Sequence, residues 1–167
     1  MTVTNVHKDP EALTMTVTAE LDATVDRAWQ LWADPRQLER WWGPPTYPAT
    51  VVDHDLAPGG RITYFMTGPE GDTSHGWLQV LAAEPPSRLE LEDGFAHDDG
   101  APNDAMPTMT MVVTLTERGG GGTVMAIRTQ FPSLEAMEQL VSMGMEEGIT
   151  AAMGQIDGIL AGNVTTS

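Results

Sequence analysis

The side chains of this chain best suited to chemistry are four histidines and a few carboxylates, and their spacing argues mostly for structure. His7, His54, His75 and His97 are scattered, with no H-x3-H and no H-E-x2-H arrangement, so no metal site is expected. Asp53 and Asp55 stand two apart and share one face of a strand, a pattern that can raise one pKa and give a general acid. Asp55, however, leads into Pro58-Gly59-Gly60. An aspartate there commonly bonds turn backbone or meets a neighbour such as Arg61, and this structural role is the preferred one. The chain has no cysteine, which removes disulfides, thiolate metal sites and cysteine nucleophiles together. No G-x-S-x-G elbow is present. Gly59-Gly60 and Gly119 to Gly122 do not lead into helix N-termini, so they are turns rather than phosphate cradles.

The apolar residues are more informative. Eleven methionines are many for 167 residues. Met109, Met111, Met125, Met143, Met145 and Met153 fall on strand and helix faces that turn toward one another. With Trp42, Tyr64 and Trp77 they suit either a filled core or an apolar pocket that adapts to several shapes. Four of the five tryptophans, Trp29, Trp32, Trp41 and Trp42, lie within fourteen residues. They are the bulky anchors that two short helices need. Adjacent Trp41 and Trp42 cannot both enter one core, so one is expected inward and the other at a pocket mouth or partly exposed.

These residues sit on elements whose periods are legible. Leu13 to Leu21 alternates apolar and polar, as a half-buried strand does. Thr24 suits an N-cap, and Val25, Ala28, Trp29 and Trp32 follow helical spacing. Asp34 caps a second short helix, PRQLERWW, which ends at Gly43-Pro44-Pro45. Strands follow over 50–56, 61–67, 74–84 and 88–92, joined by tight turns. Residues 93–107 read as loop, 108–116 and 123–131 as the closing strands. Residues 1–12 read as a frayed lead-in. The C-terminus reads as a short helix over 134–141, a break at Met143-Gly144, and a longer helix over 145–162 with Met145, Ile149, Ala152, Met153, Ile156 and Leu160 on one stripe. Consecutive antiparallel strands with one face to cover, and one long amphipathic helix to cover it, predict an α+β helix-grip: a curved antiparallel sheet wrapped around that helix.

The length fits one domain over 1–167, with a core of about 13–162. The net charge of −16, with only eight unclustered basic residues, excludes nucleic acid and anionic membrane surfaces as partners. No apolar run is long enough to span a membrane, and the N-terminus has no signal-peptide pattern. A cytoplasmic location is the expectation.

The run AWQLWADPRQLERWWGPP, then DHDLAPGG, the hairpin around GPEG, GWLQVLAAEPPSRLELED and the closing FPSLEAMEQLVSMGMEEGITAAMGQIDGIL resemble the activator-of-heat-shock-ATPase homologues. These belong to the START-like superfamily (SRPBCC, polyketide cyclase/dehydrase and lipid transport). The motifs carrying the resemblance are W-x4-D-P-x2-L-x2-W-W-G-P from Trp29 to Pro44, D-x3-G-G from Asp55 to Gly60, and G-M-E-E-G from Gly144 to Gly148. The resemblance implies a helix-grip with a cavity between sheet and C-terminal helix, often holding an apolar or amphipathic small molecule. It brings no shared catalytic triad. Ile149 departs from the pattern, since relatives often place a tryptophan or another large residue there, and a smaller side chain enlarges or reshapes the pocket.

The side chains expected to line that cavity are Trp32, Trp42, Tyr64, Met66, Trp77, Met109, Met111, Met125, Ile127, Met145, Ile149 and Met153, with Tyr64 or Arg128 orienting a ligand. The expected function is non-enzymatic binding of an apolar, aromatic or lipid-like molecule, without a cofactor. One alternative is a cyclase or dehydratase drawing on His54, His75, Asp53 or Tyr64. Another, from the family name, is a chaperone-associated interaction protein. A homodimer is expected if an edge strand or the tryptophan surface stays exposed.

Overall fold

The computed structural model describes residues 3–99 and 101–162. Residues 1 and 2 of the expected lead-in, Gly100 of the expected loop, and 163–167 lie outside the described residues. The order of elements is β1 (Val3–Asp9), β2 (Thr14–Leu21), α1 (Val25–Ala33), α2 (Pro35–Trp42), β3 (Ala49–His54), β4 (Arg61–Thr67), β5 (Thr73–Glu84), β6 (Arg88–Ala96), β7 (Met109–Arg118), β8 (Gly122–Gln130), α3 (Leu134–Ser142), α4 (Met145–Met153) and α5 (Ile156–Gly162). The strands form one curved antiparallel sheet in the order β1-β2-β8-β7-β6-β5-β4-β3. With helices α1 and α2 after the early strands and a helical C-terminus, this is the α+β helix-grip.

The period-two patterns set which face is inner. Met15, Val17, Ala19 and Leu21 of β2 are buried, as are Met109, Met111, Val113 and Leu115 of β7 and Met125 and Ile127 of β8. The register aligns them: Met15 lies opposite Thr129, Thr129 opposite Met111, and Met111 opposite Leu91. Directly opposed residues share a face, so one buried row, apolar but for Thr129, crosses these four strands.

Three expectations are corrected. Residues 3–9 are not a frayed lead-in but β1, paired antiparallel with β2, so the sheet has eight strands among the described residues. Its exposed, polar-rich pattern hid it from a periodicity argument. Strand β6 does not stop at Glu92 but continues to Ala96. Gly94 masks that continuation, and the reason for the glycine lies across the strand pair. A Cβ on Gly94 would meet the Trp77 ring at 2.3 Å, so Trp77 requires a bare backbone beside it. Finally, 145–162 is not one helix. It divides at Gly154-Gln155 into α4 and α5, where Gln155 N–H donates to the Ala152 carbonyl at 3.1 Å, an i→i−3 bond that tightens the turn.

The short helices are capped as their sequences direct. Thr24 Oγ1 accepts from Arg27 N–H at 3.2 Å, and Asp34 Oδ1 accepts from Arg36 N–H at 2.9 Å. Helix α2 then shields the sheet edge. Arg36 donates to the Val51 carbonyl at 3.0 Å, and Glu39 accepts from Val51 N–H at 2.9 Å, satisfying edge backbone on β3. Gly43 closes α2 because a Cβ there would lie 2.2 Å from the Tyr47 carbonyl oxygen. From the C-terminal side, Gln155 Nε2 donates to the Gly43 carbonyl at 2.6 Å, tying the turn between α4 and α5 to the end of α2. No helix among the described residues is long and apolar enough to cross a membrane.

Candidate functional site

Where helix α2, helices α3 and α4 and the sheet meet, they leave a cavity of about 300 Å³. Helix α2 contributes Trp41 and Trp42, strand β4 Tyr64 and Met66, strand β7 Met109 and Met111, and β6 Asp93 and Phe95. Leu140 of α3 and Met145 and Ile149 of α4 close the other side, and exposed Met143 stands beside Gly144 on the turn between these helices. Gly144 has φ 90°, a left-handed conformation that glycine adopts freely, and this lets α3 turn into α4 around the cavity.

The tryptophans set one wall. Trp32, Trp41 and Trp42 pack edge to face, with centroids 4.9 Å apart for Trp32 and Trp41 and 5.6 Å for each of the other two pairs. Trp41 is fully buried and its indole N–H donates to the Leu31 carbonyl at 3.0 Å. Trp42 is half-buried and continues the packing to Tyr64, with centroids 6.0 Å apart. Its indole nitrogen is buried and completes no hydrogen bond among the described residues.

The polar part of the site is Asp93 with Tyr64. Asp93 occupies an inner-face position of β6, opposite Leu78 on one side and Met109 on the other. It is half-buried and lines the cavity. Burial pushes the Asp93 carboxyl up to about 7, against the opposing pull of hydrogen bonding from Tyr64 and from the Gly94 backbone. Tyr64 is raised well above the ordinary phenol value, first by burial and then by the Asp93 charge, with Trp42 nearby opposing the rise. Chemically, the pair is a carboxyl that exchanges its proton near neutral pH beside a phenol that keeps its own. Such a pair can accept from or donate to a polar group on a bound molecule.

Of the twelve side chains expected at the cavity, the fold brings seven to it: Trp42, Tyr64, Met66, Met109, Met111, Met145 and Ile149. Trp32, Met125, Ile127 and Met153 pack instead into the closed core, each fully buried. Met125 and Ile127 lie on the inner face of β8, and Trp32 of α1 and Met153 of α4 pack into the same buried core. Trp77 belongs to the opposite face, since its neighbours Gly76 and Leu78 face inward. It lies over Gly94, with the Arg61 guanidinium 5.3 Å from its ring centre and its own N–H donating to the Phe95 carbonyl at 3.0 Å. Arg128, proposed to orient a ligand, is exposed on the outer face of β8.

The other groups considered for chemistry lie away from the cavity. His54 Nε2 is 2.9 Å from the Trp32 carbonyl, and His75 stacks on Phe65 with centroids 5.4 Å apart. Exposed Asp53 accepts from the Thr63 hydroxyl at 2.8 Å. Among the described residues no three His, Asp or Glu side chains gather as metal ligands would. Asp93 is the functional candidate that the sequence reading missed, because it fell in the segment read as loop. The signal is visible in Leu89, Leu91, Asp93 and Phe95, an inner-face alternation in which a carboxylate takes an apolar place.

A sheet gripping a helical C-terminus around an apolar cavity defines the START-like helix-grip class, and the comparisons place the chain within it. Residues 22–161 match the model of the family described as Activator of Hsp90 ATPase homolog 1-like protein, and the chain belongs to that family. It is similar to protein Ms6760 from Mycobacterium smegmatis, with 50% identity, a TM-score of 0.87, and 95% of this chain and 96% of that one covered. It is also similar to a protein from Arthrobacter aurescens whose solution structure has a TM-score of 0.91, at 48% identity over 96% of this chain and 92% of that one. CalU16 from Micromonospora echinospora, at 22% identity, 90% and 81% coverage and a TM-score of 0.55, shares the fold. Among curated proteins, none matches the chain.

Proposed function

We propose that this protein binds a small, largely apolar or aromatic molecule in the cavity between the sheet and the helical C-terminus. The observation that carries the proposal is the wall itself. Tryptophan, phenylalanine and methionine side chains surround a space of about 300 Å³ in which Asp93 and Tyr64 are the titratable groups. Apolar burial, at about 25 cal/mol per Å², supplies the affinity, and one or two polar contacts fix orientation. Flexible methionines on two sides let the wall follow more than one ligand shape. Membership of a START-like family supports ligand binding in general.

The test is calorimetric titration with an uncharged amphiphile, 4-phenylbutan-1-ol, against the native protein and Ile149→Trp. Saturable 1:1 binding that the tryptophan blocks is the expected result. No binding, or binding that Ile149→Trp leaves intact in a folded variant, overturns the reading.

A cyclase- or dehydratase-type reaction is a second reading, favoured by one observation. A carboxyl held at about 7 beside a phenol is suited to move a proton at neutral pH. Tyr64 was the member of the original acid–base set that borders the space, and Asp93 joins it. On this reading Asp93→Asn abolishes dehydration of a bound β-hydroxy ketone without abolishing its binding. If no β-hydroxy ketone turns over in the native protein, the enzyme reading falls.

A further inference from the structure

The cavity has a sign of charge. Going round it, α2 presents two indoles, β4 a phenol and a thioether, β7 two thioethers, and α3 and α4 aliphatic groups and methionine. Among the described residues that line it, Asp93 and Tyr64 alone titrate, and no lysine, arginine or histidine faces Asp93 from any of these elements. A carboxylate, phosphate or sulfate entering this space would leave its water, meet no counter-charge, and face the Asp93 carboxyl. An ammonium would leave its water for a carboxylate partner and for the aromatic rings of Trp41, Trp42, Tyr64 and Phe95, whose faces attract cations. The whole-chain charge of −16 draws cations toward the protein and repels anions.

We infer that the ligand class of this cavity is an apolar or aromatic amine, its ammonium paired with the Asp93 carboxylate and its hydrocarbon part against the methionines, and that anionic amphiphiles such as fatty acids are excluded. This rests on the cavity reading above and narrows it. About 300 Å³ is at the small end of ligand pockets and fits a single ring with a short chain rather than a lipid of two tails. The selectivity is partly negative: the pocket discriminates through the unpaired charge it would impose on the wrong ligand. Tyr64 supports the ionised state, since its hydroxyl can donate to the carboxylate while the ammonium takes the free oxygen. Binding such a cation releases the carboxyl proton wherever Asp93 starts out protonated, so affinity is linked to pH through that group.

The experiment compares three probes that share one hydrocarbon part: 4-phenylbutylamine, 4-phenylbutan-1-ol and 4-phenylbutanoate, titrated calorimetrically at pH 8. The amine is expected to bind about tenfold or more tighter than the alcohol, corresponding to ~1.4 kcal/mol, and the butanoate weaker than both. In Asp93→Asn the amine advantage over the alcohol disappears. A series on the unmutated protein does not depend on that variant folding. From about pH 7 downward amine affinity falls about tenfold per unit, and alcohol affinity stays flat. Butanoate binding as tightly as the amine, equal binding of amine and alcohol, a flat pH series for the amine, or an amine preference that survives in Asp93→Asn overturns the inference. If the alcohol binds without any amine preference, the inference fails and the cavity reading stands. If none of the three binds, both fall.

Discussion

Tyr64 lies across Gly76: a Cβ on that glycine would sit 2.4 Å from the tyrosine hydroxyl oxygen. The glycine therefore belongs to the site although it carries no side chain. It lets the phenol lie over β5 and reach toward Asp93 on β6. Next to it the pattern repeats on the other face, where Trp77 lies over Gly94. Each aromatic ring is thus seated on a glycine of the neighbouring strand, one facing the cavity and one facing out.

Gly76→Ala must displace Tyr64. The expected cost is about 1–3 kcal/mol in urea denaturation, as for other forced insertions into packed sites. The Asp93 carboxyl should titrate differently once its phenol partner has moved. Unchanged stability with an unchanged Asp93 titration would contradict this seating.

Asp93 makes stability depend on pH in a defined direction. Its pKa is raised from the ordinary carboxylate value to about 7 on folding. Below the unfolded value, near pH 4, both states are protonated and the group costs nothing. Between about pH 4 and 7 the unfolded chain ionises to a solvated carboxylate while the folded carboxyl keeps its proton, so this contribution to stability is lost progressively across that window and the loss is complete once pH has passed about 7. Asp93→Asn is therefore expected to be more stable than the native protein at pH 8 by on the order of 2–4 kcal/mol, with the difference shrinking toward zero near pH 4. The check is a pair of denaturation series across that range. A difference independent of pH would show that the carboxyl titrates as an exposed one does.

Much of the fold was legible because period and punctuation agreed. The caps Thr24 and Asp34, the Gly43-Pro44-Pro45 stop and the alternation of residues 108–116 each follow from local chemistry, and each reappears in the structure. Strand β1 was not legible, because an edge strand with few buried side chains lacks an apolar period. The division of the C-terminal helix was not legible either. The turn at Gly154-Gln155 is tied to the Gly43 carbonyl, a partner 112 residues away that no local pattern reveals. The cavity residues were partly legible. Sequence places Met125 and Met111 on the same inner face, and only the packing of the helices decides that Met111 borders open space while Met125 is sealed. Asp93 was hidden by Gly94, whose role as a seat for Trp77 is a tertiary fact.

The two adjacent tryptophans should differ in what they contribute. Trp41 is fully buried with its N–H bonded to Leu31, so Trp41→Ala is expected to cost about 3–5 kcal/mol. Trp42 already faces empty space and its indole nitrogen completes no hydrogen bond among the described residues, so Trp42→Ala should cost less, about 1–3 kcal/mol. Equal losses in thermal denaturation would argue against this division of roles.

Gln155→Ala removes the donor to the Gly43 carbonyl. A cost of about 1–2 kcal/mol is expected, with amide exchange accelerated across α5 before it changes in the sheet. Uniform acceleration throughout the chain would show that Gln155 does not anchor α5 selectively.

The methionines provide the most direct test of the cavity as a binding site, because the chain distributes them inside and outside it. Met66, Met109, Met111 and Met145 line it, whereas Met15 and Met125 are sealed in the core. With methionine methyl groups labelled for NMR, titration with 4-phenylbutan-1-ol should shift the first four signals in a saturable way and leave the two core signals in place. Absence of saturable shifts, or shifts of the sealed methionines as large as those of the lining ones, would contradict the assignment of this cavity as the binding site.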